Sequence, residues 1–153
     1  MAGRTAELVA EAPSRPRFLR VREDDRCFVC GLENPVGLKL EFREREGGVE
    51  TTFVPAPEHQ GFVGIVHGGL VGLVLDEAMA KLLCFRGIEA LTCEITVRLR
   101  RIARVGEPLK VRATLLRARR RVLELEALAT SPTGELVATA SAKFLRVGEG
   151  ERW

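Results

Sequence analysis

The sequence lacks the features of several large protein classes. Its 153 residues contain no tyrosine, one tryptophan and two histidines, and the net charge is only +3. Nucleic-acid-binding domains usually carry a concentrated basic surface, which this balance does not favour. The longest mostly apolar stretch, 61–75, contains His67 and is too short to span a bilayer. We therefore expect neither a nucleic-acid partner nor a membrane partner.

A secretory leader is also not expected, because residues 1–20 contain no apolar core. We expect a cytoplasmic protein whose four cysteines are reduced thiols. Cys27 and Cys30 form a C-x-x-C, but a four-ligand zinc site needs two further ligands, and a second such pair is missing unless two subunits pool theirs. A redox role would need a strand-to-helix turn of thioredoxin type. We interpret the pair as a tight, partly buried turn before Gly31 and expect no cofactor.

The overall composition is that of one globular domain. Hydrophobic residues make up 46% of the chain and charged residues 29%. The distribution of turn formers and apolar residues predicts a loose N-terminal arm over 1–26 with a short helix over 6–11, one domain over 27–148, and a polar tail over 149–153.

Hydrophobic periodicity predicts one helix and six strands. The segment 68–85 is apolar around nearly the whole helical wheel, which is typical of a buried helix, and Gly87 ends it. Gly47–Gly48 is a predicted hairpin turn. The predicted strands cover residues 38–43, 49–54, 91–99, 109–116, 122–130 and 135–147.

These elements predict an α+β fold in which one antiparallel sheet wraps a single long helix. Short connections among the last four strands predict a meander. Strict alternation over 91–99 predicts that Cys93 and Val97 share one face of their strand and that Thr92 lies on the other. A second copy of the chain is a common way to extend such a sheet.

The predicted helix begins at an unusual sequence, His67-Gly68-Gly69. The first amides of a helix lack intrahelical partners, and the helix dipole adds positive potential there. Glycines let a ligand approach these amides closely. The helix start is therefore suited to polarising a carbonyl oxygen, as an oxyanion hole does.

Asp76 lies well inside the same helix and cannot be its N-cap. It shares a stripe with the small residues Gly69, Gly72 and Ala80, which leave room for a ligand or a second helix. A carboxylate beside apolar neighbours can act as a general base or nucleophile. Asp76 can also be an ordinary paired helix residue.

One helix cannot bring both groups to one reacting carbonyl. At about 1.5 Å per residue, Gly68 and Asp76 lie roughly 12 Å apart. If both serve one reaction centre, they must come from different subunits, and antiparallel helices across a two-fold axis would bring them together. This arrangement predicts two composite sites in each dimer.

Several motifs together resemble the hotdog-fold acyl-CoA thioesterases of the PaaI-like branch. They are 64–69 (GIVHGG) followed by 75–77 (LDE), and the leading segments 27–31 (CFVCG), 34–35 (NP) and 37–38 (GL). The resemblance covers roughly residues 27–146. It implies a hotdog fold, a homodimer or homotetramer, and an acyl-CoA substrate.

The resemblance also implies residue roles. The Gly68 amide would hold the oxyanion, His67 would shape the site, and Asp76 would activate water or attack directly. Thr92 matches a position where Ser or Thr orients the water. Many members carry Asn where this chain has Gly61; the expected substrate-binding residues near it are His59, Gln60, Gly61 and Gly69.

Other charged residues have simpler interpretations. Glu77 and Lys81 have the spacing of an ordinary ion pair, although Glu77 is a second candidate for the catalytic carboxylate. The arginine cluster 117–121 is either a solvated turn or a contact for the phosphates of coenzyme A, through Arg119 and Arg120.

Two other functions compete with thioester hydrolysis. A hotdog hydratase would need a catalytic histidine near an acidic helix residue, and no histidine follows Asp76. A non-catalytic module that binds acyl-CoA is the other alternative. Such a binder gains little from a buried carboxylate, which favours the enzyme.

Overall fold

The computed structural model describes residues 25–147. Nearly all of the predicted arm, its short helix over 6–11 and the tail over 149–153 lie outside the described residues, so these predictions stay predictions. Within 25–147, no helix has the length and apolar character needed to cross a membrane.

The domain contains a six-stranded antiparallel sheet, one long helix and a small two-stranded ribbon. The sheet order is β1-β2-β6-β7-β8-β5, and β3 pairs with β4 in the ribbon. A short 3₁₀ turn, Pro57–His59, precedes the ribbon. The elements are β1 Arg43–Arg45, β2 Gly48–Phe53, β3 Gln60–Phe62, β4 Ile65–Val66, α1 Gly68–Phe85, β5 Ala90–Leu99, β6 Leu109–Arg119, β7 Val122–Thr130 and β8 Leu136–Arg146.

Helix α1 begins and ends at the predicted residues and is buried as predicted. Its side chains at Leu75, Ala78 and Met79 have no exposed surface, and they pack against the inner face of the sheet. Gly87 follows the helix with φ of 67°, which favours glycine. The predicted α+β fold, a sheet of six strands around one helix, is confirmed.

The predicted strand over 38–43 is wrong. Strand β1 begins only at Arg43, and Lys39 has φ of 53°, which an extended strand does not allow. The backbone amides of Leu38 and Leu40 instead donate to the carbonyls of Phe28 and Val29, both at 2.8 Å. The alternation of burial in this segment therefore reflects packing beside the Cys27–Gly31 turn and not a strand ladder.

The first hairpin turn lies one residue earlier than predicted. Glu46 and Gly47 are its central residues, both with positive φ, and Gly48 already pairs with Arg45. Two positive φ values define the turn type that matches the twist of a hairpin. The hairpin itself is confirmed.

The predicted four-strand meander is wrong for its first strand. β6, β7 and β8 follow one another in the sheet, but β5 pairs with β8 at the sheet edge. Residues 100–108 carry the chain away from β5 across the start of α1, where the Val66 amide donates to the Ala103 carbonyl at 2.9 Å. The connection thereby passes β8 and β7, and β6 joins the sheet between β7 and β2.

The predicted faces of β5 also need correction. The pairing of β5 with β8 shifts between Thr92 and Glu94, so Cys93 forms a β-bulge. A bulge inserts one unpaired residue and changes the face of the residues on one side of it. Thr92 consequently lies on the same inner face as Val97 and contacts α1.

Candidate active site

His67 is the N-cap of α1 and fixes the conformation of the helix start. Its Nδ1 accepts a hydrogen bond from the Gly69 amide at 2.9 Å. A ring nitrogen that accepts carries no proton, so the neutral ring carries its proton on Nε2. A Cβ at Gly61 would lie 3.2 Å from the His67 Cα, so the glycine lets the ribbon pack closely on this residue.

The Gly68 amide is the unpaired donor of the helix start. Among the described residues it has no hydrogen-bond acceptor, whereas the amides of Gly69 and Leu70 bond to Nδ1 and the carbonyl of His67. The predicted substrate-binding residue Gly69 thus supports the cap in this structure. The role of the Gly68 amide in polarising a carbonyl oxygen stays a prediction.

His59 and Gln60 hold the loop that precedes the helix. The His59 Nδ1 accepts from the Ala56 amide at 2.8 Å, and the His59 carbonyl accepts from the His67 amide at 2.9 Å. The Gln60 side chain accepts from the Gly64 amide at 3.1 Å. Both residues therefore position the helix start, and their expected contacts with substrate stay predictions.

Asp76 and Thr92 form the only hydrogen-bonded carboxylate–hydroxyl pair between α1 and β5 within residues 25–147. The Thr92 hydroxyl donates to Asp76 Oδ1 at 2.9 Å. Burial raises the pKa of Asp76, and the bond from Thr92 partly opposes that rise. A half-buried carboxylate with a raised pKa and one oriented oxygen can accept a proton from water.

Two small residues of α1, Gly68 and Gly72, let β5 pack closely on the helix. A Cβ on Gly68 would lie 2.5 Å from Leu99 Cδ1, and one on Gly72 would lie 3.3 Å from Val97 Cγ2. Together with the Asp76–Thr92 bond, these contacts place one side of α1 along the whole of β5. At Gly68 and Gly72, the room that the sequence predicts beside the stripe is therefore occupied by side chains of β5.

The helix start opens into an apolar groove of about 410 Å³. Gly68 and Val71 line its floor, and Leu99 and Ile102 line one wall. The exposed aromatic ring of Phe62 lies at its edge, with 79% of its surface accessible. Such a groove beside a free backbone amide suits an apolar group linked to a carbonyl.

Strand pairing places the arginine cluster at the level of Asp76. Thr92 pairs with Phe144, Phe144 with Leu123, and Leu123 with Ala118, the neighbour of Arg119. Arg119 pairs with Val122 at the end of β6, and Arg120 and Arg121 form the turn, so the predicted corner over 117–121 is shorter than expected. In its own chain, the Arg119–Arg120 turn lies at the end of the sheet away from Gly68.

Sequence reasoning missed one cluster of chemical groups. The thiols of Cys27 and Cys30 and the carboxylate of Glu77 have ligand atoms that all lie within 4.8 Å of one another. Burial raises the pKa of Cys30 to about 12. The sequence predicted a partly buried turn, which is confirmed, but the third group comes from α1, fifty positions from Cys27. A search for a second C-x-x-C could therefore not find this third group.

Comparison with known proteins supplies the family. A family model described as the thioesterase superfamily matches residues 63–138, which include the helix start, Asp76 and Thr92. A putative thioesterase of Ralstonia eutropha, described as phenylacetic acid degradation-related, has 30% sequence identity. The match covers 71% of this chain and 85% of that one, with a TM-score of 0.64. The chain belongs to the thioesterase superfamily.

Two other solved structures share the fold of this thioesterase-superfamily chain. The thioesterase superfamily protein RHA08564 has 23% identity and a TM-score of 0.75 over 79% of this chain, which spans 60% of the length of that protein. A hypothetical thioesterase of Streptococcus pneumoniae, crystallised with coenzyme A, has 17% identity and a TM-score of 0.67 over 73% of this chain and 88% of that one. No curated protein matches the sequence.

These comparisons confirm the predicted hotdog fold and its PaaI-like branch. The Streptococcus pneumoniae protein was also crystallised as two variants, in which one aspartate and one threonine sixteen positions apart were each replaced by alanine. Asp76 and Thr92 of this thioesterase-superfamily chain are likewise sixteen positions apart.

Proposed function

We propose that this chain hydrolyses an acyl-CoA thioester to a free acid and coenzyme A. The observation that carries the proposal is the Asp76–Thr92 pair, a half-buried carboxylate held by a hydroxyl in a thioesterase-superfamily domain. The equal spacing of the two residues that were mutated in the Streptococcus pneumoniae thioesterase supports the same assignment. Coenzyme A bound to that relative supports the substrate class.

The mechanism has two possible forms, general-base catalysis and direct attack by the carboxylate. In the first, Asp76 acts as the general base. A water oxygen attacks the thioester carbon while its proton passes to the Asp76 carboxylate, and the carbonyl oxygen becomes an oxyanion. The Gly68 amide at the positive end of α1 stabilises that oxyanion. The C–S bond then breaks, and the thiolate of coenzyme A takes a proton from Asp76. Direct attack by the carboxylate would pass through an anhydride instead.

Each reaction centre combines two copies of the chain. Eight residues of helix separate Gly68 from Asp76, which is about 12 Å, so one thioester cannot reach both groups in one copy. Strand β5 supports pairing, because it is ten residues long and, within residues 25–147, has a strand neighbour on one side only. An exposed edge of this length is a template for another strand. A homodimer, or a homotetramer built from such dimers, follows.

The arginine turn fits this shared site. In a two-fold pair with antiparallel α1 helices, Gly68 of one copy approaches Asp76 of the other, at the level of Arg119 and Arg120 of that second copy. These arginines are exposed, and their planar guanidinium groups bind phosphate oxygens well. We assign them to the phosphates of coenzyme A.

The direct test is coenzyme A release from a panel of short, medium, long and aromatic acyl-CoAs. A thiol reagent measures the released coenzyme A at steady state, with denatured protein as the control. We expect turnover of at least one class. If no substrate is hydrolysed but acyl-CoA still binds in calorimetry, the chain is a binding module and the proposed hydrolysis is wrong.

Replacing Thr92 with valine should change the pH dependence of catalysis. The substitution removes the bond that lowers the Asp76 pKa, so this pKa should rise further above its ordinary value. The base works only when it is ionised, so the acidic limb of the kcat/KM profile should move to higher pH. Thr92→Ser keeps the hydroxyl and is the matched control. An unchanged acidic limb in Thr92→Val would show that Thr92 does not affect the pKa of the reacting carboxylate.

A further inference from the structure

The cluster of Cys27, Cys30 and Glu77 lies outside the proposed reaction centre. The Cys27 thiol contacts Glu77 Oε1 at 3.4 Å, and the Cys30 sulfur lies within 4.8 Å of both ligand atoms. All three side chains are partly buried between the Cys27–Gly31 turn and α1. Asp76 faces β5, whereas Glu77 faces the turn, so the two neighbouring carboxylates serve different sides of the helix.

We propose that Cys27, Cys30 and Glu77 form a zinc site with one further position for water. Zinc prefers thiolate sulfur at about 2.3 Å and carboxylate oxygen at about 2.0 Å in a tetrahedron. These bond lengths require about 3.5 Å between sulfur and oxygen and about 3.8 Å between the sulfurs. The observed distance of 3.4 Å from Cys27 Sγ to Glu77 Oε1 fits the sulfur–oxygen distance. The two sulfurs lie within 4.8 Å of each other, so a small side-chain movement gives the sulfur–sulfur distance.

The backbone holds the two thiols in place before any ion binds. The Gly31 amide donates to the Cys27 carbonyl at 2.9 Å, and a Cβ on Gly31 would lie 2.5 Å from the Cys27 nitrogen. Only glycine fits so tight a turn without displacing backbone atoms. Val29, between the two cysteines, is buried in the protein interior and anchors the turn. Little ordering is therefore needed when the ion binds.

The charges around the cluster also suit a divalent cation. A bound cation deprotonates the thiols that coordinate it and releases their protons to solvent, so two thiolates and one carboxylate around Zn²⁺ leave a single net negative charge. The Lys81 ammonium, one helical turn beyond Glu77, hydrogen-bonds to Cys30 and neutralises that charge. A donor to a metal-bound sulfur is a common outer partner of such sites. The ion would tie the turn to α1, beside the reaction centre, and so stabilise the domain.

Metal content of tag-free, reduced protein tests the site. The protein is stripped with a chelator, dialysed against ZnCl₂ and then washed, and the retained zinc is measured by mass spectrometry. We expect about one Zn²⁺ per chain, an increase in Tm, and loss of retained zinc in Cys27→Ser. Glu77→Gln should weaken zinc affinity by at least about 10-fold, because loss of even a residue that only hydrogen-bonds to a ligand typically costs that much. Cys93→Ser, which alters an exposed thiol, is the matched control.

Cobalt provides a second measurement, in which the spectrum of the wild-type protein alone reports the thiolate ligands. Co²⁺ in a tetrahedral site with two thiolates gives intense visible absorption, which Cys30→Ser should weaken and Cys93→Ser should not. Three results would overturn the proposal: no zinc retained by the reduced wild type, zinc retention that survives Cys27→Ser, or a wild-type protein isolated with a Cys27–Cys30 disulfide. None of these depends on whether the chain hydrolyses thioesters.

Discussion

Replacing Asp76 with asparagine should lower kcat by about 10²- to 10⁴-fold, the usual contribution of a positioned general base. Asparagine has nearly the same shape and its amide oxygen can still accept from Thr92, but it cannot take a proton from water. The loss should appear in kcat more than in KM, because the carboxylate acts on the reacting water and not on the bound coenzyme A.

The same variant should be more stable than the wild type at neutral pH. Burial raises the Asp76 pKa in the folded protein, so folding favours its protonated form. The stability that this group contributes is present below its unfolded pKa and is lost as the pH rises through its folded pKa. Asparagine removes the buried charge, so Tm should rise by a few degrees at pH 7, and the gain should shrink in acid.

Steady-state kinetics and thermal melting curves of the same Asp76→Asn preparation test both effects. Glu94→Gln removes an exposed carboxylate on β5 and is the matched control, with turnover expected to be unchanged. A folded Asp76→Asn variant with wild-type kcat would show that Asp76 is not the general base. If a Glu77→Gln variant with wild-type Tm lost all turnover while Asp76→Asn kept it, Glu77 would be the reacting carboxylate.

Two inactive variants should regain activity when they are paired in one dimer. Gly68→Val fills the helix start, since even a Cβ there would lie 2.5 Å from Leu99 Cδ1, and the half-exposed Leu99 can move aside to preserve the fold. Asp76→Asn lacks the base. In a mixed dimer, one site combines the intact Gly68 of one copy with the intact Asp76 of the other, and the second site carries both changes.

Co-expression with two different affinity tags isolates the mixed dimer. Its activity should be about half that of a wild-type dimer, because one of two sites is intact. Each homodimer of a single variant should be nearly inactive, and its circular dichroism should match the wild type. A mixed dimer as inactive as its parents, or full activity in a monomeric wild-type fraction, would mean that one chain contains a complete site.

The bounds and burial of helix α1 were predictable from the sequence because their signals are local. The apolar wheel over 68–85 and the small residues at its start need no knowledge of the rest of the fold. The order HGG followed by Asp76 also gave the family. The resemblance singled out Thr92, but the hydrogen bond between Thr92 and Asp76 was not predicted, because strict alternation placed Thr92 on the wrong face of β5.

Apart from the one-residue shift of the first hairpin turn, the errors share one physical cause: contacts with distant parts of the chain determine the structure at those places. Residues 38–42 alternate like a strand, but the amides of Leu38 and Leu40 donate to the carbonyls of Phe28 and Val29 and not to another strand. The position of β5 depends on where residues 100–108 cross the helix. The third group of the cysteine cluster, Glu77, reaches the turn only after α1 has packed. No pattern along the sequence contains this information.

The bulge at Cys93 acts as a phase shift in the alternation of side chains. Deleting Cys93 would turn the hydroxyl of Thr92 towards the outside or turn Val97 away from Gly72, so the strand could not satisfy both contacts with α1. Most replacements of this exposed residue should be tolerated, whereas its removal should not. When related sequences are aligned, a single-residue gap at the position of Cys93 would therefore indicate a changed reaction centre. A different residue type at that position would not.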